Sequence, residues 1–151
     1  MPLHDNRVVL LVEDSAADAY ATQRGLRKSG LANPIVHVTT GEAALDYLHQ
    51  RGDYAGEAYQ GLPSVVLLDL NLPGIDGAEV LEHVRAHEPL KLLPVVMLTT
   101  SEAPEDVERV YRAGASSYVC KPVDLDRFMD AIRRLREYWF EVVVLPRVDA
   151  R

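Results

Sequence analysis

The chain has 151 residues, is 48% hydrophobic and 26% charged, and carries a formal net charge of −7; this fits one domain with a sizeable core and argues against a nucleic-acid backbone or an anionic membrane surface as partner. One cysteine, Cys120, excludes an internal disulfide and a four-cysteine zinc site. No apolar run reaches the ~20 residues of a membrane span, and the N-terminus lacks a signal-peptide core, so the expectation is a cytoplasmic protein that does not associate with membranes.

Short apolar runs alternate with helical patterns along the whole chain. "RVVLLV" (Arg7 to Val12) is a β-branched run that stops at Glu13-Asp14, as a strand buried on both faces does. "SAADAYATQRGLRKSG" follows, with Ser15 and Asp18 spaced as a capping box and Gly30 placed to end the helix. "PIVHV" is a second strand. "TGEAALDYLHQRG" puts Ala44, Leu45 and Leu48 on one helical face, with Gly52 as the stop. "DYAGEAYQGLP" has no period and reads as a loop. "SVVLLD" is the third strand, "GAEVLEHVRAHE" a helix with Val80, Leu81 and Val84 inward, and "LPVVMLTT" the fourth strand. "PEDVERVYRAG" opens on Pro104 and closes on Gly114, a helix by its terminal residues. "SSYVC" is the fifth strand. Asp124 caps "LDRFMDAIRRLREYWF", where Leu125, Phe128, Ile132, Leu135 and Trp139 form one apolar stripe.

Five βα units in succession predict an α/β fold with a doubly wound parallel sheet covered on both faces, in the flavodoxin-like order 2-1-3-4-5. In that order the first and third strands are neighbours and the winding reverses between them, so Glu13, Asp14 and Asp69 meet at the carboxyl edge of the sheet. Three carboxylates so close repel one another and call for a cation, and hard oxygen ligands with open positions suit Mg2+. The fourth strand adds the hydroxyls of Thr99-Thr100-Ser101 at the same rim, and the fifth adds the ammonium of Lys121. A carboxylate nucleophile, a hard cation, a hydroxyl and a lysine together suit phosphoryl transfer to a carboxylate.

The segments "LLVED", "VVLLDLNLPGIDG", "PVVMLTT" and "GASSYVCKP", each at a strand end and in this order, resemble a response-regulator receiver domain of two-component signalling. The likeness covers about Arg7 to Arg136 by eye. It implies that Asp69 is the phosphoacceptor. It implies that Asp14 and Asp69 bind Mg2+ directly, that Glu13 acts through water, and that the main-chain carbonyl of Asn71 is a further ligand. Lys121 would pair with the phosphoryl group, Thr99 would be the switch hydroxyl and Tyr118 the aromatic that moves with it. Pro122 would follow a cis peptide bond. The acidic pair is Glu-Asp here, where Asp-Asp is common in the family. Such a domain catalyses its own modification but is not counted as an enzyme.

Blander readings attach to other residues. His83 and His87 are four apart on one helix, but no third ligand is evident, and a solvated face is expected. Cys120 is expected to be a small apolar filler in a buried strand. Two other classes stand beside this one: an unphosphorylated scaffold of the same fold, and a Mg2+-dependent phospho-aspartate phosphatase. The second acid that such phosphatases often carry two residues on is replaced here by Asn71.

A receiver can end near Arg136, yet this chain continues as "EYWFEVVVLPRVDA". The expected division is a receiver domain over 1–136 and an apolar extension over 137–151 that packs on the domain or on a dimer partner. "YW", "F" and "VVVLP" after the last helix, with "LTTS" on the fourth strand, are similar to the single-domain response regulators that serve phytochrome photoreceptor kinases. That likeness implies a red/far-red sensor histidine kinase as partner. It also implies a homodimer built on the last helix, the fifth strand and this tail, with Phe128, Ile132, Leu135, Tyr138, Trp139, Phe140, Val142 and Val144 as the dimer or partner surface.

Overall fold

The computed structural model describes residues 6–146. Five strands, β1 (Val9–Val12), β2 (Ile35–Val38), β3 (Val65–Leu68), β4 (Val95–Thr99) and β5 (Ser117–Cys120), pair in parallel in the expected order β2-β1-β3-β4-β5. Five helices connect or follow them: α1 (Ala16–Lys28), α2 (Gly41–Leu48), α3 (Gly77–Ala86), α4 (Pro104–Ala113) and α5 (Leu125–Glu137).

The strand residues alternate between two cores, because successive side chains point to opposite faces. Leu10, Val12, Val66, Leu68, Val95 and Met97 pack with Ala44, Leu45 and Leu48 of α2, Val80, Leu81 and Val84 of α3, and Val110 of α4. Val9, Leu11, Val65, Leu67, Val96 and Leu98 pack on the other face with Ala19 and Leu26 of α1 and with α5. The central strands are covered on both sides, which is why they read as unbroken apolar runs.

The apolar stripe of α5 belongs largely to the chain itself. Phe128, Ile132, Leu135 and Trp139 are buried in the second core, so these four are corrected from a dimer surface to interior packing. The α5–α1 contact takes them because both helices cover the same sheet face. Leu125, the first residue of the stripe, is exposed. After α5 the chain makes a π-helical turn over Tyr138–Val142. Phe140, Val143 and Leu145 pack partly against the second core, while Tyr138, Val142 and Val144 face outward. Residues 147–151 of the extension lie outside the described residues.

Other local expectations change for identifiable reasons. The helix α2 ends at Leu48, not at Gly52, because Gln50 already takes a left-handed conformation with φ 54°. The loop after it is tied down by Tyr47, whose hydroxyl donates to the Gly61 carbonyl at 2.7 Å and accepts from the Gln60 N–H at 3.2 Å. Tyr54 and Tyr59 pack on the Tyr47 ring at 5.0 and 5.1 Å between centroids. Cys120 is only partly buried, because β5 is an edge strand. The peptide bond before Pro122 is trans, the lower-energy isomer even for proline.

His83 and His87 do find a third imidazole. His49, the residue that closes α2, places Nε2 2.7 Å from Nε2 of His83, and its ring also meets that of His87. Burial lowers the pKa of His49, and His87, Arg51 and His83 act in the same direction against Asp46.

Candidate functional site

The strand register builds the site. Val12 of β1 pairs with Leu68 of β3, and the Asp69 N–H donates to the Val12 carbonyl at 3.1 Å. The next residues, Glu13 and Asp69, therefore leave the sheet edge side by side. Asp14 completes the group, and one carboxylate oxygen from each of Glu13, Asp14 and Asp69 lies within 4.8 Å of the others. Glu13 and Asp69 are buried, whereas Asp14 is exposed. On the far side, Thr99 pairs with Cys120, and the Lys121 N–H donates to the Thr99 carbonyl at 2.7 Å. That bond carries Lys121 over the same edge.

Lys121 is the cation of the site. Its side chain is 3% exposed. Its ammonium donates to Asp69 Oδ2 at 3.1 Å, to Asp18 Oδ2 at 3.1 Å, and to Glu13 Oε1 in a short contact. Burial alone would push the Lys121 pKa down, but the hydrogen bond to Glu13 and the charges of Asp69 and Glu13 hold it up at about 12. Burial pushes Glu13 up to about 7, with Asp69 adding to the rise and Lys121 opposing it. The second Glu13 oxygen accepts from the Ser15 N–H at 3.2 Å, at the start of α1.

The backbone after Asp69 is shaped closely around its carboxylate. The Asn71 N–H donates to Asp69 Oδ1 at 3.3 Å. Gly74 takes φ 73°, which side-chain-bearing residues rarely adopt. A Cβ on Gly77 would run into the Asp69 carbonyl oxygen and come within 2.9 Å of Leu70 Cα. This answers to the sequence pattern of Asn, Pro and Gly behind the acid.

Thr99 and Tyr118 complete the predicted set in different ways. The Thr99 hydroxyl is fully buried and has no hydrogen-bond partner among the described residues. The Tyr118 hydroxyl donates to the Ser101 carbonyl at 2.7 Å, just past the end of β4. Ser101 in turn donates to Asp106 in the first turn of α4 at 2.5 Å.

Sequence reasoning missed one member. The spacing of Asp18 from Ser15 predicts a capping box, but only half of that box forms. Its N–H takes the Ser15 hydroxyl at 3.2 Å, while its carboxylate turns to Lys121. Its position in the first turn of α1, directly after the acid pair, was the available signal. The complete capping box lies instead at α3, between Asp76 and Glu79.

The donor set fits a hard divalent cation. Three carboxylates with clustered oxygens, one of them exposed, can hold such an ion and leave positions open. Residues 9–133 match the family model described as the response regulator receiver domain. The chain belongs to that family.

Three relatives place it further within this receiver family. A protein of Methanothrix harundinacea (strain 6Ac), called "Probable methanogenesis regulatory protein FilR2", is 39% identical over 89% of this chain and 84% of its own. The response regulator Rcp1 of Synechocystis sp. (strain PCC 6803) is 37% identical over 93% of both chains. Its Mn2+-bound crystal structure superposes with a TM-score of 0.86 at the same identity, over 93% of this receiver and 99% of that chain. The phosphorylated cyanobacterial phytochrome response regulator RcpA is 34% identical with a TM-score of 0.88, over 95% and 100% of the two chains.

Proposed function

We propose that this receiver is a stand-alone response regulator that accepts a phosphoryl group on Asp69 from a phosphohistidine of a sensor histidine kinase, with Mg2+ as cofactor. The observation that carries the reading is the buried ammonium of Lys121, held against both Asp69 and Glu13. In the transfer, an Asp69 oxygen forms a bond to phosphorus as the phosphorus–nitrogen bond of the donor breaks, and the donor imidazole keeps the electron pair. Lys121 offsets negative charge on the transferring group. Asp14, Asp69 and the Asn71 carbonyl would hold Mg2+, with Glu13 acting through water, and the ion would supply further charge neutralisation when bound.

The unpartnered Thr99 hydroxyl supports its role as the switch. It has a donor to offer once an oxygen-rich group stands on Asp69. Inward movement of Thr99 would release space for Tyr118 and break its bond to Ser101. That bond reaches the first turn of α4 through Asp106, so the surface of α4, β5 and α5 would change with it. The chain acts on this reading as a cytoplasmic signalling regulator, and not as an enzyme.

Similarity to Rcp1 and RcpA, together with the apolar extension, supports a phytochrome-type kinase as partner. The outward Tyr138, Val142 and Val144, with the half-buried Phe140, support a homodimer through the extension. Phosphotransfer from a purified phytochrome histidine kinase tests the assignment. Label should pass to the native chain and not to Asp69→Asn, and label retained on the kinase in both cases would reject the partner.

A further inference from the structure

We propose that His49, His83 and His87 form a second metal site, for a borderline first-row divalent ion such as Zn2+, on the edge of the fold opposite the acids. The three residues stand at the carboxyl ends of two helices. His49 closes α2, His87 closes α3, and His83 lies one turn before the end of α3. In a parallel βα fold these ends lie away from the carboxyl edge of the sheet, where Asp69 sits. Exposed carbonyls give helix C-termini a partial negative charge that favours a cation.

The geometry of the His49–His83 pair supports a shared ion, which the nitrogens of His87 reach only after a movement of that ring. The Nε2 atoms of His49 and His83 face each other at 2.7 Å. Without metal, one ring must donate its N–H to the other. A tetrahedral Zn2+ with bonds of about 2.0–2.1 Å separates two ligand nitrogens by roughly 3.4 Å, so the pair has to open by less than about 1 Å. The ring centroids are 5.0 Å apart for His49–His83, 4.6 Å for His49–His87 and 6.1 Å for His83–His87. Three imidazoles on one tetrahedral ion place their centroids about 5 Å from one another. His49 and His83 are the preformed pair, and His87, which is exposed, enters by a side-chain rotation.

Chemistry distinguishes this site from the carboxylate one. Imidazole suits Zn2+, Co2+, Ni2+ and Cu2+, whereas Mg2+ prefers oxygen. A cavity of about 130 Å³ lies beside His49 and His87, lined also by Gln50, Tyr59 and Pro89. An ion held there would join α2 to α3, which cover the same sheet face, and would stabilise the folded chain by mass action.

The test uses the full chain carrying Asp14→Asn and Asp69→Asn, so that the carboxylates do not compete. Co2+ is titrated and followed by visible absorption, then displaced by Zn2+. The expected result is one Co2+ per chain with the d–d bands of a nitrogen-rich tetrahedral site. His49→Gln and His83→Gln should each weaken binding by roughly tenfold or more, and His87→Gln by a smaller factor. Far-UV circular dichroism of the metal-free variants confirms that they fold, and the two substitutions test the pair independently. Absence of the Co2+ bands with all three histidines intact overturns the proposal, as does binding that neither substitution weakens.

Discussion

The ammonium of Lys121 lies 3.1 Å from the carboxylate of Asp18, in the first turn of α1, and equally 3.1 Å from that of Asp69 at the end of β3. One side chain just past β5 thus ties the first turn of α1 to the end of β3. The partners differ in solvation: the Asp18 side chain is 41% exposed, whereas that of Asp69 is 10% exposed. Removing the cation and removing its exposed partner should therefore have unequal effects.

Lys121→Met leaves buried carboxylates without a counter-charge and should cost about 3–5 kcal/mol in the absence of divalent metal. Added Mg2+ should restore part of this loss. Asp18→Asn should cost less than about 1 kcal/mol, because the pair is half solvated. Urea unfolding with and without Mg2+ measures both, and equal losses would show that Lys121 is not the organising charge.

The buried Thr99 hydroxyl has no hydrogen-bond partner among the described residues. Thr99→Val keeps the shape and removes only that group. Stability of the unmodified protein should stay within about 1 kcal/mol of the native value, or rise, since no hydrogen bond is lost. The spectral change induced by Mg2+ and beryllofluoride should disappear. Near-UV circular dichroism and Tyr118 resonances report it, and an unaltered response in Thr99→Val would remove Thr99 from the switch.

Gly77 leaves no room beside the backbone of the acid-bearing turn. Gly77→Ala forces Asp69 and Leu70 to shift and should cost about 1–3 kcal/mol. Modification of Asp69 should slow in the same variant, because its carboxylate moves with its backbone. Thermal melting and phosphorylation rate are the readouts, and native values for both would mean the close approach is unimportant.

The strand order and the meeting of the acids were legible because both follow from pattern. Strand runs closing at Glu13-Asp14, Asp69, Thr99 and Lys121 fix which side chains reach the sheet edge. Asp18 was not legible as a site residue, since a first-turn acid serves a helix cap equally well by spacing. The α5 stripe was misassigned for a related reason. Periodicity shows that Phe128, Ile132 and Leu135 share a face, but not whether α1 or a second chain covers it. His49 is 34 residues from His83 and could be joined to it only by tertiary packing.

Burial pushes the Tyr47 hydroxyl up to about 12, above its ordinary value of 10.0. The folded chain therefore holds a proton that the unfolded chain releases between these values. Stability from this group is complete below pH 10 and falls as pH rises through that window, by at most about 1.4 kcal/mol per unit. Tyr47→Phe should flatten this slope while costing roughly 1 kcal/mol at neutral pH for the lost bonds to Gly61 and Gln60. Urea unfolding across the alkaline range checks it, and an identical slope in Tyr47→Phe would assign the effect elsewhere.

Intact mass after incubation with acetyl phosphate and Mg2+ puts the central claim to the most direct test. The native chain should gain the mass of one phosphoryl group, and should gain none when a chelator removes the metal or when Asp69 is replaced by Asn. A native chain that stays unmodified, or an Asp69→Asn chain modified as fully as the native one, would contradict the account.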